Sequence, residues 1–226
     1  MKTYEWIIFD ADDTLFHFDA FQGLRLMFSR FGVHFTEKEY QEYQVINKLL
    51  WVHYQRGDIT AKQLQQQRFL SWATQLQVLP QDLNRAFLAT MVEISSPLEG
   101  VTRLLSALKG KVKLGIITNG FTELQRARLE RLGLQDHFDF LVVSEEVGVA
   151  KPHQGIFDHA LAIMGNPAKE GVLMVGDNPE SDILGGINAG LDTCWFNVDN
   201  KPVPEGIMPH YQVSSVEELE QLLANQ

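Results

Sequence analysis

With 226 residues, 45% of them apolar, the chain is long enough for one large domain or two small ones around a sizeable core, and it is expected to fold alone. A net charge of −10 excludes broad binding of nucleic-acid polymers, which takes a basic face, and admits a small anionic substrate only where a local positive site exists. The first apolar run, Trp6 to Phe9, stops at Asp10, and no later run approaches the roughly 20 residues of a membrane span, so a soluble, cytoplasmic protein without membrane contact is expected.

In chain order, "YEWIIFD" (4–10) reads as a buried strand that breaks off at three acids in four residues, Asp10, Asp12 and Asp13. Residues 17–95 are rich in aromatics and Gln and show no strand; 36–55 and 60–77 have helical spacing, and "GDIT" (57–60) reads as a turn with Thr60 as N-cap. Past residue 98, "KVKLGIIT" (111–118), "FDFLVVS" (138–144), "GVLMVGD" (171–177) and "LDTCWFNV" (191–198) read as short buried strands. Helices at 121–132 and 155–164 lie between them, each followed by Gly. Strands alternating with helices imply βαβ units and a parallel sheet. Residues 17–95 are then a helical insertion, so two domains arise from three segments: 1–16 with 96–226, and 17–95. The single cysteine, Cys194, has no partner for an intramolecular disulfide and is expected in the core.

In an open parallel sheet, ligands bind at the carboxyl ends of the strands. Those ends carry Asp10-Ala11-Asp12-Asp13-Thr14, then Thr118-Asn119-Gly120, then Lys151-Pro152, then Asp177 and Asp182 of "GDNPESD". Gathered in one crevice, these residues suit a hard divalent cation beside a phosphate, because oxygen ligands suit Mg²⁺ and helix N-termini suit anions. Taken singly, Asp10 could cap a turn, Asp182 could cap the helix behind it and Lys151 could be a surface lysine. Asp13 reads as a loop-bonding residue and His17 as a linker residue. Phe16, Phe18, Phe21, Trp51 and Tyr54 read either as a base-stacking surface or as the insertion's own core.

The order of these motifs resembles the haloacid dehalogenase-like superfamily of phosphotransferases. "FDADDTLF", "GIITNGF", "SEEVGVAKP" and "MVGDNPESDILGGINAG" are similar to its bacterial pyrimidine 5'-nucleotidase branch. The resemblance implies a Rossmann-like α/β core with a helical cap at 17–95. It further implies Asp10 as nucleophile, Asp12 as general acid and base, Thr118 and the amides of Asn119 and Gly120 on the phosphate, and Lys151 offsetting the crowded charge. The metal, Mg²⁺ or Mn²⁺, would be held by Asp10, the Asp12 carbonyl and Asp177, with Asp182 orienting it from behind. The implied substrates are the nucleoside monophosphates dUMP, dTMP and UMP. The alternatives are a phosphatase of sugar phosphates or phosphoglycolate, a 2-haloacid dehalogenase, and a phosphate-binding module without catalysis. One departure from the family is Asp13, where Gly is common. Oligomeric state is not legible.

Overall fold

A computed structural model describes residues 2–224. Six parallel strands form one sheet in the order β3-β2-β1-β4-β5-β6: β1 (Trp6–Phe9), β2 (Lys113–Thr118), β3 (Phe140–Val143), β4 (Val172–Gly176), β5 (Asp192–Phe196) and β6 (Tyr211–Val213). The chain winds outward in both directions from β1, so the crevice at a topological switch point lies between the carboxyl ends of β1 and β4.

Helices cover both faces. Ile7 and Phe9 of β1 point to one apolar layer with α6 (Val101–Leu108) and α11 (Val216–Leu223), while Trp6 and Ile8 point to the other, under α9 (Gln154–Ile163) and α10 (Leu184–Ala189). This split follows from side chains alternating along an extended strand. Cys194 is fully buried in the first layer, and burial pushes its thiol up to about 12. Among the described residues no helix is long and apolar enough to cross a membrane.

Between β1 and α6 the chain forms α1 (Ala20–Ser29), α2 (Glu37–Arg56), α3 (Ala61–Gln67), α4 (Leu70–Leu76) and α5 (Pro80–Ile94), around an apolar cluster of their own. Thr36 and Glu39 close a capping box on α2, which stops at Gly57 in the left-handed conformation (φ 80°). Thr60 caps α3 by accepting from the Gln63 amide. The helix expected over 60–77 is in fact α3 and α4, broken at Arg68 and Phe69. Both are buried there, and the Arg68 guanidinium turns to Asn84 Oδ1 and lies 5.0 Å from the Phe121 ring centre.

The segment leaves and rejoins the sheet along paired backbone. The His17 amide donates to Ser96 O (3.0 Å), the Leu98 amide to Leu15 O (2.9 Å), and Phe16 bridges Pro97. The short β6 and α11 follow a Pro-rich stretch and were not anticipated.

Candidate active site

A cavity of about 510 Å³ opens between the carboxyl ends of β1, β2 and β4 and the inner faces of α2 and α5. Asp10, Asp12, Thr118, Asn119, Gly120, Lys151, Asp177 and Asp182 all line it, so each candidate catalytic, phosphate-binding and metal-ligating residue named from the sequence reaches this one space. Asp10 follows β1 directly, and its amide still donates to Val175 O of β4 (2.8 Å). Lys151 Nζ, almost fully buried, donates to Asp10 Oδ1 (2.5 Å) and to Ile117 O (2.7 Å), and pairs with Asp182 Oδ1 (2.7 Å). Asn119 fixes the lysine's main chain: its side chain donates to Lys151 O (3.0 Å) and accepts from the Lys151 amide (2.8 Å). Thr118 Oγ1 accepts from the Gly120 amide (3.0 Å). A Cβ on Gly176 would lie 2.3 Å from Asp182 Oδ2, so the missing side chain is what lets that carboxylate close against the end of β4.

Asp10, Asp177 and Asp182 each bring one oxygen to within 4.8 Å of the others'. Three carboxylates face one ammonium, which leaves negative charge in surplus. Desolvation, with Lys151 opposing and Asp182 and Asp12 adding to it, pushes Asp10 up to about 7. Desolvation together with Asp10 and Asp182 pushes Asp177 up to about 8. Burial pulls Lys151 down, but its two carboxylate partners outweigh that and leave it above the ordinary lysine value. A group of hard oxygen donors with unneutralised charge can hold a metal cation.

Two partners of these residues, Gln125 and Arg128, were not picked out from the sequence, and Thr14 was quoted there without a role. Thr14 Oγ1 accepts from the Asp177 amide (3.0 Å) and faces Asp177 Oδ1 (3.3 Å), tying the β1 loop to the β4 loop. Arg128 and Gln125, on α7 (Thr122–Leu132), are fully buried and hold the Asp12 carboxylate, through Arg128 Nη2 to Oδ1 (2.6 Å) and Gln125 Nε2 to Oδ2 (3.2 Å). The motif contained Thr14, but α7 reads "TELQRARLERL", in which two inward polar residues look like any solvated pair. Of the five aromatics, Phe18 and Trp51 line the cavity; Phe16 lies in the sheet core, Tyr54 is buried against Ser144 (2.8 Å between hydroxyls) and Phe21, half-buried, packs against the helical cluster.

Asp13 adopts φ 57°, its amide donates to Phe16 O (2.8 Å) and its Oδ1 accepts from the Phe18 amide (3.2 Å). A left-handed residue explains a family preference for Gly, and Asp is among the side chains that tolerate this region. Asp13→Gly is therefore expected to keep turnover within about threefold, whereas the β-branched Asp13→Val should lose about 1–3 kcal/mol of stability. Parallel thermal melts and turnover assays check both.

A family model for haloacid dehalogenase-like hydrolases matches residues 4–190. The chain is 60% identical over 220 residues to pyrimidine 5'-nucleotidase YjjG of Escherichia coli, covering 97% of this chain and 98% of that one. It is 30% identical to pyrimidine 5'-nucleotidase PynA of Streptococcus pneumoniae, covering 96% and 93%. The crystal structure of the HAD-hydrolase YfnB of Bacillus subtilis bound to magnesium superposes with a TM-score of 0.86 at 32% identity, over 98% of this chain and 99% of that one. Sheet order, strand-end acids and these matches agree: the chain belongs to the haloacid dehalogenase-like hydrolases.

Proposed function

We propose that the protein is a Mg²⁺-dependent 5'-nucleotidase that hydrolyses pyrimidine nucleoside monophosphates such as dUMP, dTMP and UMP through an aspartyl-phosphate. The observation that carries the reading is Asp10 paired with buried Lys151 at the floor of a cavity whose other walls come from α2 and α5. Near-full-length identity of 60% to a pyrimidine 5'-nucleotidase supports the substrate class. On this reading residues 1–16 and 96–226 are the catalytic core and 17–95 a cap that selects the substrate.

Asp10 attacks phosphorus; the Asp10 oxygen–phosphorus bond forms as the bond to the nucleoside oxygen breaks, and Asp12 gives that oxygen its proton. In the second half Asp12 takes a proton from water, the water oxygen bonds to phosphorus, and the bond to Asp10 breaks to release inorganic phosphate. Thr118 and the Asn119 and Gly120 amides hold the phosphate oxygens, and Lys151 fixes the Asp10 rotamer. Asp10, Asp177 and the Asp12 carbonyl, with Asp182 orienting them, would hold Mg²⁺ or Mn²⁺, which would offset the surplus carboxylate charge and polarise the phosphate. Trp51, Phe18 and Asn47 line the cavity on the side of residues 17–95, and on this reading they meet the base.

The test is a screen of the purified protein against nucleoside monophosphates, ribose 5-phosphate, phosphoglycolate, hexose phosphates and a 2-haloacid, with Mg²⁺ and with EDTA. Pyrimidine monophosphates should lead in kcat/KM, with activity lost in EDTA and restored by metal. A sugar phosphate or the haloacid ahead of every nucleotide, or full activity in EDTA, would overturn the reading.

Metal and proton compete for the same carboxylates, which gives a second expectation. Asp10 and Asp177 have folded pKa values raised to about 7 and about 8, above the usual 3.8, so the folded state holds more protons between those limits. Their effect on stability is nil at low pH, grows more unfavourable as pH rises from about 4 to 8, and is constant above. Metal-free protein should therefore melt lower at about pH 8.5 than at about pH 6, and added Mg²⁺ should raise Tm more at the higher pH. Calorimetry at both pH values decides, and an Mg²⁺ shift larger at the lower pH would contradict it.

A further inference from the structure

We infer that Arg128 and Gln125 form a buried cradle that positions Asp12 for proton transfer. The inference rests on the nucleotidase chemistry above and adds to it two residues on a helix that carries none of the family motifs. Both carboxylate oxygens of Asp12 are occupied, Oδ1 by Arg128 and Oδ2 by Gln125. The cradle is itself fixed: Gln125 Oε1 accepts from Arg128 Nε (3.1 Å) and Nη2 (2.6 Å), so the two side chains present their donors as one unit. Gly120 makes room for it, since a Cβ there would lie 2.2 Å from Gln125 Nε2.

Such a cradle is not explained by stability. Arg128 has no exposed surface, and its Nη1 is sealed from solvent without a hydrogen-bond partner. Burying a guanidinium with an unpaired N–H is unfavourable, and an apolar residue of the same size would fill this place in the core at less cost. The charge is useful where it faces Asp12. The guanidinium also lies 4.4 Å from the Phe16 ring centre, and Phe16 bridges both Asp12 and Pro97, so the cradle rests on the backbone junction where the helical segment meets the sheet.

With both oxygens held, Asp12 is aligned as a carboxylate, the form that takes a proton from water in the second half. Removing the cradle should slow that half most, because an unanchored carboxylate samples many rotamers and a small misplacement of a catalytic group can cost about a hundredfold.

The test uses Arg128→Met and Arg128→Lys in the full chain with Mg²⁺ and p-nitrophenyl phosphate, whose leaving group needs no acid. In R128M, kcat should fall about tenfold to a hundredfold, while kcat/KM, which reports formation of the aspartyl-phosphate, stays within about threefold. Nitrophenolate should appear in a burst stoichiometric with enzyme, and R128K should recover part of kcat. On UMP, whose alkoxide needs the proton, R128M should lose both kcat and kcat/KM. A merely structural role predicts loss of both parameters on both substrates, with no burst; that result, or wild-type kcat in folded R128M, overturns the inference. If R128M does not fold, Gln125→Met keeps the ion pair and frees Oδ2, and it should show a smaller fall in kcat with the same burst; its absence counts against the cradle. Failure of the nucleotidase reading is distinguishable, because it appears in the wild-type screen.

Discussion

Asp10→Asn should abolish turnover while leaving the fold and melting temperature close to wild type. The substitution keeps shape and volume but removes the charge and the nucleophilic oxygen. In another hydrolase, loss of the nucleophile costs on the order of 10⁶ in kcat, and a fall of ~10³ or more is expected here. Lys151 Nζ loses the 2.5 Å contact to a carboxylate but keeps Asp182 and Ile117 O, so its ammonium is still compensated. Phosphate release by the freshly purified variant, with mass spectrometry to exclude deamidation back to Asp, is the measurement. Retention of more than about a tenth of the activity would remove Asp10 from the mechanism.

Lys151→Met should cost both activity and stability. Among the described residues it takes the only ammonium away from Asp10 and Asp182, two carboxylates already crowded by Asp177. Breaking a buried ion pair from one side costs about 3–5 kcal/mol, which for a domain of this size lowers Tm by roughly 6–20 °C. Loss of a preorganised charge from the site should lower kcat about a hundredfold or more. The stability deficit should shrink below about pH 6, where Asp10 and Asp177, raised to about 7 and about 8, are protonated and no longer need a counter-charge. A Tm within about 2 °C of wild type at neutral pH would show that the lysine is not the counter-charge.

What could be read from the chain and what could not separate along a physical line. Asp10, Thr118 and Asp177 stand where an apolar run ends, so a short continuous apolar run followed by a polar residue marks them without knowledge of the packing. Their convergence follows from the parallel sheet. Arg128 and Gln125 lie on a helix whose apolar residues Leu124, Ala127, Leu129 and Leu132 share one broad face, yet both are more deeply buried than Ala127. Their burial depends on a charge from a distant loop, and helical periodicity does not record the sign of what it faces. Arg68 is similar: a helical pattern continuous through 60–77 gives no sign of the break that turns a guanidinium inward among the Phe69, Phe87 and Phe121 rings. Phe16 has the composition of a stacking residue, but its bridges to Asp12 and Pro97 hold it in the core of the sheet.

The paired backbone at Leu15–His17 and Ser96–Leu98 has a consequence for how such a molecule can diversify. Because the chain departs and returns on neighbouring, mutually hydrogen-bonded residues, the loop between them is closed by the sheet side itself. The entropy of closing a loop grows only with the logarithm of its length. Residues between these two points can thus be lengthened, shortened or exchanged for a different helical arrangement at little thermodynamic penalty to the strands that carry Asp10 and Asp177. On the proposed reading, in which residues 17–95 select the substrate, chemistry and selectivity would be separable parts, and recombination at Phe16 and Pro97 would graft a new selectivity onto an unchanged reaction.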